Sequence, residues 1–231
     1  MQEIVDSYSV QSELIQTKIN IVKSSGGTLT YELVIPELLP ATKILLEDIR
    51  DKLVTETTIT TSEILDIKVI DSLKQKFSVK AESLVKNVIP NIDEEVKSYL
   101  ISTLLHDMLG LGYVEFLLND PNLEEIVIIS SNEPVRVFHK KYGWLETNIT
   151  LKSEDQIQNY SSIIARRVGR QITTLNPLLD AHLVTGDRAN AVLYPVSTKG
   201  NTITIRKFAR DPWTVTDFIK EKTCPSNIFS L

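Results

Sequence analysis

Residues 125–149 read EIVIISSNEPVRVFHKKYGWLETNI, and this stretch decides the predicted fold of the chain around it. Apolar and polar residues alternate in three short runs, as expected for strands that bury one face. The runs are Glu125–Ser130, Val135–Lys140 and Trp144–Ile149. The triplets Asn132-Glu133-Pro134 and Lys141-Tyr142-Gly143 supply turns between them. Three strands joined by short turns predict an antiparallel sheet.

Helices are predicted on both sides of these strands. After Pro90, acidic residues crowd a helix N-terminus, where the helix dipole favours negative charge. The apolar stripe of that helix is Val96, Leu100, Leu104 and Met108. Ser153 is predicted to cap a second helix, whose core stripe is Ile157, Tyr160, Ile164 and Val168.

Two more strands are predicted near the end of this region, at Ala189–Tyr194 and Thr202–Phe208. Strands in hairpins mixed with helices predict the α+β class and not a doubly wound parallel sheet. We expect two small subdomains, of which the second is a mixed, mainly antiparallel sheet with flanking helices.

The first ninety residues carry no chemical motif and are interpreted as a docking or packing subdomain. Residues 1–36 alternate as strands, with a turn at Ser24-Ser25-Gly26-Gly27. A helix is predicted from Pro40, a second after the capping box Thr60/Glu63, and a shorter one over Val79–Ile89. The predicted units are 1–90, then 91–208, then a linker at 209–231.

Composition indicates a cytoplasmic protein. Hydrophobic residues make up 42% of the chain and charged residues 24%, and there is neither an apolar run long enough for a transmembrane helix nor a signal sequence. The single cysteine, Cys224, cannot form an internal disulfide, and no Cys/His cluster has metal-ligand spacing.

Charge is distributed unevenly along a chain whose net charge is -5. Residues 161–209 hold seven basic side chains against two acidic ones, so the rest of the chain is strongly acidic. A local basic excess points either to an anionic partner at one place or to docking on an acidic surface of the same protein.

No catalytic constellation is recognisable. None of the eight glycines is followed by lysine, so the phosphate-binding loop of nucleotide hydrolases is absent. His106, His139 and His182 lie far apart on different predicted elements, which favours structural or solvent-exposed roles. The chain is therefore expected not to be an enzyme by itself, with no catalytic residue and no metal site.

A succession of short segments from Gly112 to Phe208 carries most of the functional information. It begins with Gly112-Tyr113, Leu117-Leu118-Asn119-Asp120-Pro121 and Pro134-Val135-Arg136-Val137-Phe138-His139. It continues with Tyr142-Gly143-Trp144-Leu145, Arg166-Arg167-Val168-Gly169-Arg170 and Asn176-Pro177-Leu178-Leu179-Asp180-Ala181. It closes with Gly186-Asp187-Arg188-Ala189-Asn190-Ala191-Val192 and Ile203-Thr204-Ile205-Arg206-Lys207-Phe208.

This succession resembles the N-terminal domain of the secretion ATPase superfamily, over about residues 99–218. The superfamily includes type II secretion and type IV pilus motors, conjugative type IV secretion ATPases and archaeal pilus and archaellum motors. The segment Pro134–Asn148 and the closing Ile205-Arg206-Lys207-Phe208 are most similar to the archaeal branch.

The resemblance implies a regulatory and assembly domain that precedes a RecA-like ATPase domain in a ring of six subunits. The domain would move against the ATPase domain as nucleotide binds and leaves. ATP with Mg²⁺ would belong to the full-length protein and not to this fragment alone. Expected partners are the protein's own C-terminal ATPase domain, neighbouring subunits of a homohexamer and a membrane platform protein, through which the protein would be peripheral to the membrane.

The resemblance also suggests that Arg188 and Arg206 contact nucleotide phosphates. Arginine suits this role because it stays charged and offers a planar donor fork to phosphate oxygens. The alternative is that each arginine pairs with a carboxylate such as Asp180 or Asp187. Lys207 is expected to point to the strand face opposite Arg206.

Other residues have a local explanation beside a functional one. Arg166, Arg167 and Arg170 could form an interface, but cations are also favourable at a helix C-terminus. Trp144 and Trp213 are interpreted as core or interface residues and not as a base-stacking platform. Two other protein classes remain open: a stand-alone adaptor for a membrane platform or regulator, and, less favoured, a nucleic-acid-binding module, so no nucleic-acid partner is expected.

These expectations predict a Gly-x-x-x-x-Gly-Lys-Ser/Thr sequence shortly after Leu231 in the coding region, because the chain ends where the strand before such a loop is expected. Sequencing that region in the source genome tests the prediction. A natural stop codon near Leu231 would contradict it and favour the adaptor.

Overall fold

The structure is a computed structural model that describes residues 3–12, 15–36, 38–56, 67–183, 185–208, 214–223, 225 and 228. The strands within these ranges are β1 Glu3–Ser12, β2 Ile15–Lys23, β3 Leu29–Val34, β4 Leu123–Ile128, β5 Arg136–His139, β6 Gly143–Thr147, β7 Leu178–His182, β8 Arg188–Val192 and β9 Thr202–Arg206. The helices are α1 Pro40–Glu56, α2 Ile67–Val88, α3 Glu94–Leu109, α4 Val114–Asn119, α5 Glu154–Arg167 and α6 Val215–Lys220. None of these helices is long and apolar enough to cross a membrane.

All nine described strands belong to one sheet in the order β1-β2-β3-β6-β5-β4-β9-β8-β7. Every neighbouring pair is antiparallel except β3 and β6, which are parallel. The α+β class and the mixed, mainly antiparallel sheet are therefore confirmed. The quoted stretch forms β4, β5 and β6 as a continuous meander at the centre.

The N-terminal strands extend the central sheet through the parallel contact of β3 with β6. Tyr31 pairs with Thr147, and the Asn148 side chain then continues the ladder. Its amide donates to the Leu33 carbonyl and its oxygen accepts the Leu33 N–H, each at 2.9 Å. The sheet thus runs through both predicted subdomains, and the division at residue 90 and the linker at 209–231 stay predictions.

Two groups of buried side chains stabilise the chain. One lies between the sheet and helices α4 and α5, and it includes Ile19, Tyr31, Val114, Leu117, Ile126, Val137, Leu145, Ile157, Ile164, Ala189 and Ile205. The other joins α1, α2 and α3, and it contains Leu46, Ile49, Leu53, Phe77, Ala81, Val85, Leu100, Ile101, Leu104 and Leu105. The predicted stripe of α5 is largely confirmed, whereas Val96 at the start of α3 is exposed.

Two sequence predictions fail for local reasons. The separate helix at Val79–Ile89 is the second half of the single helix α2, because Lys74-Gln75-Lys76 are good helix formers and not a break. Strand β7 was not predicted, since its only buried residues are Leu179 and Ala181. The proposed capping box at Thr60 and Glu63 lies outside the described residues.

A buried carboxylate connects the N-terminal strands β1 and β3 to the central sheet. Asp120, fully buried between α4 and β4, accepts hydrogen bonds from the hydroxyls of Tyr8 at 2.7 Å and Tyr31 at 2.9 Å. Its second oxygen accepts the Asn122 backbone N–H at 2.8 Å. Burial, together with the neighbouring Asp120 charge, raises the pKa of both tyrosines. One carboxylate thus accepts hydrogen bonds from three donors.

We predict that Asp120→Ala lowers the free energy of unfolding by about 3 kcal/mol or more, because it leaves buried donors without an acceptor. Tyr31→Phe, which removes one hydroxyl, should cost about 1 to 2 kcal/mol. Asp48→Ala is the control: Asp48 is an exposed partner of Lys52 on α1, and its loss should cost less than about 0.5 kcal/mol. Urea unfolding followed by circular dichroism measures all three, and equal costs for the two aspartates would contradict the prediction.

His139 lies beside this carboxylate and is also buried. Its ring centroid lies 6.1 Å from that of Tyr8 and 4.9 Å from that of Tyr142, and its Nδ1 accepts the Lys141 backbone N–H at 3.0 Å. Burial lowers the pKa of His139, although the charges of Asp120 and Asp6 act in the opposite direction. The folded chain therefore favours the neutral imidazole.

We predict a pH-dependent contribution of His139 to stability. Since the unfolded chain binds the proton more readily, this contribution is complete above about pH 6.5 and is lost as the pH falls towards the lowered pKa of the folded state. The fall in urea midpoint from about pH 7.5 to 5.5 should shrink in His139→Asn, whose side-chain oxygen can still accept the Lys141 N–H. His182→Asn, at an exposed histidine, should leave the fall unchanged; an unchanged fall in His139→Asn would refute the assignment.

Candidate functional site

The two arginines singled out in the sequence lie side by side on the exposed face of the sheet. Arg188 on β8 and Arg206 on β9 are direct cross-strand partners. Their chain neighbours Ala189 and Ile205 are buried on the other face, so the period-two alternation of the strands turns both guanidinium groups outward.

Arg188 has a carboxylate partner within the chain. Its Nε and Nη2 donate to the two carboxylate oxygens of Asp180 at 3.0 and 2.7 Å, which is a bidentate arrangement. Hydrogen bonding to Arg188 lowers the pKa of Asp180, and the same pair raises the pKa of Arg188. The carboxylate-pairing alternative therefore describes the geometry of Arg188, and a phosphate would have to compete with Asp180.

Arg206 is held much more loosely. Its only ion-pair contact among the described residues is from Nε to Glu125 Oε2 at 3.5 Å, and 74% of its side chain is exposed. An exposed pair at this distance contributes little to stability. Of the two arginines, Arg206 is the one whose donor fork is open to a ligand.

Both arginines line a shallow groove of about 770 Å³ on the sheet face. The groove is also lined by Pro121, Leu123, Glu124, Glu125, Phe138, Lys140, Trp144, His182, Lys207 and Phe208. Ligand sites of small molecules have volumes of about 300 to 1,000 Å³. Its position follows from strand register, since six of its residues form one transverse row: Trp144, Phe138, Glu125, Arg206, Arg188 and His182.

The aromatic end of this row was not identified from the sequence. Trp144 and Phe138 pack edge to face, with centroids 5.4 Å apart and planes at 77°. Trp144 is 54% exposed, so it is not a core residue, and the predicted interface role stays a prediction; Trp213 lies outside the described residues. The missed signal is the alternation of β6. Because its neighbour Leu145 points into the core, Trp144 must lie on the outward face of the sheet.

Gly186 and Asp187 fix the geometry of the arginine pair without facing the groove opening. Gly186 has a φ of 90°, as expected for a turn that requires the left-handed region. Buried Asp187 accepts the Thr185 hydroxyl and the Phe208 backbone N–H, each at 2.7 Å. It therefore ties the β7–β8 turn to the end of β9. Lys207 points away from Arg206, as predicted, and donates to backbone carbonyls of Leu117 and Asp120.

The arginines at the end of α5 make intramolecular contacts. Arg166 donates to the Ser162 carbonyl at 3.2 Å, and Arg167 pairs with Glu115 at 2.9 Å. Arg170 donates to the Asp180 backbone carbonyl at 2.5 Å. These contacts give the three side chains local roles, and an interface role stays a prediction.

A second cavity, of about 420 Å³, lies where the helical core meets the sheet core. Its lining includes Tyr99, Tyr113, Tyr160, Asp107 and Lys43, and neither Arg188 nor Arg206. No group of three or more His, Cys, Asp or Glu residues suited to a metal ion occurs in the part of the chain that the structure describes.

Three uncharacterised proteins of Methanocaldococcus jannaschii are similar to this chain. MJ0781 is 33% identical over 94% of the chain and 29% of its own length. MJ1288 is 31% identical over 56% of the chain and 53% of its length, and MJ0900 is 36% identical over 59% and 25%. The chain thus spans about a quarter to about half the length of these relatives. No protein-family model matches it.

Among solved structures, the chain is similar to the VirB11 ATPase from the Brucella suis type IV secretion system, crystallised in complex with sulphate. The two share 22% sequence identity over 47% of this chain and 32% of that one, with a TM-score of 0.38. A likeness of this extent does not establish a shared fold.

Proposed function

We propose that this chain is the N-terminal regulatory and assembly portion of a hexameric secretion or pilus-type ATPase of the archaeal type, and that Arg206 contacts a nucleotide phosphate. One observation carries the proposal: Arg206, in the closing segment of the family-like succession, is an exposed and weakly paired arginine in a groove of ligand size. The same segment resembles the part of the superfamily domain that faces nucleotide.

The other family-like segments support the proposal through the folding duties that they perform. Gly112 approaches Tyr160 so closely that an added Cβ would lie 2.5 Å from its hydroxyl. Asp120 accepts hydrogen bonds from tyrosines of β1 and β3, and Asp187 anchors the end of the strand that carries Arg206. These segments therefore build one scaffold around an outward-facing arginine. A domain that presents this arginine to a second domain requires such a scaffold.

The two arginines of the groove differ in how readily they can leave their carboxylate partners to bind phosphate. Arg206 can turn its fork away from Glu125 at little cost, because that contact is long and exposed. Arg188 must leave a bidentate pair, so it would respond only to a ligand that replaces both carboxylate oxygens. Arg206 therefore acts as the primary phosphate contact, and Arg188 with Asp180 acts as a secondary, exchangeable one.

The hydrolytic chemistry would come from ATP with Mg²⁺ bound to a separate ATPase domain. This chain would contribute cationic donors, and the base and the metal ligands would belong to that domain, so we do not propose the chain as an enzyme by itself. Its partners would be that domain, the neighbouring subunits of the ring and a membrane platform protein. The acidic balance of residues outside 161–209 disfavours direct contact with an anionic membrane surface, so we propose a cytoplasmic position, peripheral to the membrane through the platform partner.

The proposal predicts that Arg206→Ala lowers ATP turnover of the full-length protein by about 10- to 100-fold, as expected for loss of a charged hydrogen bond to phosphate. Its free energy of unfolding should change by less than about 0.5 kcal/mol, because the side chain is exposed. Steady-state phosphate release and urea unfolding measure the two quantities.

The matched control is Arg136→Ala. Arg136 is another partly exposed arginine on β5, paired with Glu146 at 3.2 Å, and it does not line the groove. Turnover should be unchanged in this variant. Unchanged turnover in Arg206→Ala, or an equal loss in both variants, would refute the assigned role.

A further inference from the structure

The exposed aromatic pair at the end of the groove has no role in the function proposed above. Trp144 presents more than half of its surface to solvent, and its edge-to-face contact with Phe138 holds both rings in a defined orientation. Because both side chains stand on the outward face of adjacent strands, neither contributes to the sheet core. The exposed ring of Trp144, held in place by the partly buried Phe138, is suited to stack on a planar group.

The spacing of the row relates these rings to the arginine pair. Phe138 lies two strands from Arg206 and Trp144 lies three strands from it, with Glu125 between them. Neighbouring strands are about 4.8 Å apart, so the rings lie roughly 10 to 14 Å from Arg206 along the row. A ligand that reaches both ends must be anionic at one end and planar at the other, and it must be extended. These are the properties of a nucleoside triphosphate.

We propose that Trp144 and Phe138 form a platform for the base of the nucleotide whose phosphates contact Arg206. The inference rests on the proposed function and extends it to the other end of the same ligand. Aromatic side chains stack on any base, so the platform would strengthen binding of nucleotides with little choice among bases.

The charge pattern of the same face favours a mononucleotide over a polynucleotide. Three acidic side chains lie around the arginine pair: Glu125 is in the row itself, Glu124 lines the groove, and Asp180 is paired with Arg188. They would repel a second and third phosphate of a strand that crossed the groove, whereas Arg206 and Arg188 are adjacent and can serve one phosphate cluster.

Photolabelling with 8-azido-ATP tests the platform, because the azide reports the position of the base. The purified protein, with any domain that follows Leu231 retained, is irradiated with the probe and the labelled peptides are mapped by mass spectrometry. We expect label in the peptide that contains Phe138 and Trp144. Trp144→Leu should weaken ATP binding by about 5- to 100-fold, as expected for the loss of one stacked base, and leave binding of inorganic tripolyphosphate unchanged.

Tyr194→Leu is the matched control, since Tyr194 is an equally exposed aromatic residue that does not line the groove. It should change neither labelling nor affinity. Label that is confined to other peptides, or equal effects of Trp144→Leu on ATP and tripolyphosphate, would overturn the platform. Complete protection by a short single-stranded DNA at concentrations far below those of ATP would overturn it in favour of a polynucleotide site.

The failure of this inference and that of the proposed function are separable. Label outside the groove together with slow turnover in Arg206→Ala removes the platform and leaves the phosphate contact. Label on the platform together with unchanged turnover in Arg206→Ala keeps the platform and removes the proposed role of the arginine.

Discussion

The buried carboxylate of Asp120 is the interaction on which the arrangement of this sheet depends. It accepts the hydroxyls of Tyr8 and Tyr31 from two N-terminal strands and the backbone N–H of Asn122 at the start of β4. The backbone carbonyl of the same residue accepts Lys207, which follows β9. A charged group in an apolar interior is tolerated only when its acceptor positions are filled. The hydrogen bonds that satisfy the Asp120 carboxylate thus hold the edge of the sheet to its centre.

The contact of Lys207 with Asp120 is related to the orientation of Arg206 on the outer face. Because Lys207 is turned inward to the Asp120 carbonyl, the preceding residue Arg206 is turned outward by the alternation of the strand. Asp187 holds the next backbone N–H, that of Phe208, so the end of β9 is anchored from two sides. The Arg206 side chain is therefore exposed, whereas the backbone that follows it is anchored. This combination suits a residue that must reach a ligand from a defined position.

The electrostatic difference between the two arginines arises from their neighbours and not from their own chemistry. Arg188 lies within reach of Asp180, and the bidentate geometry makes that pair the best available partner for each. Arg206 faces Glu125 at a longer distance and in solvent, where screening leaves little interaction energy. The aromatic pair at the far end of the groove adds apolar surface without adding charge.

Local patterns in the sequence determined much of the secondary structure. Alternation predicted β4, β5 and β6, and the Ser153 hydroxyl caps α5 as predicted by accepting the Gln156 N–H at 3.2 Å. These features depend on residues close in the chain, so their signals are visible in it. The length of α2 was missed because the helix formers Lys74-Gln75-Lys76 were interpreted as a break, and strand β7 was missed because only two of its residues are buried. Only the tertiary structure decided the row from Trp144 to His182, since it requires pairing between strands whose partners, Glu125 and Arg206, are 81 residues apart. The partner of Arg188 and the exposure of Trp144 were decided in the same way, because register and not composition sets which side chains share a face.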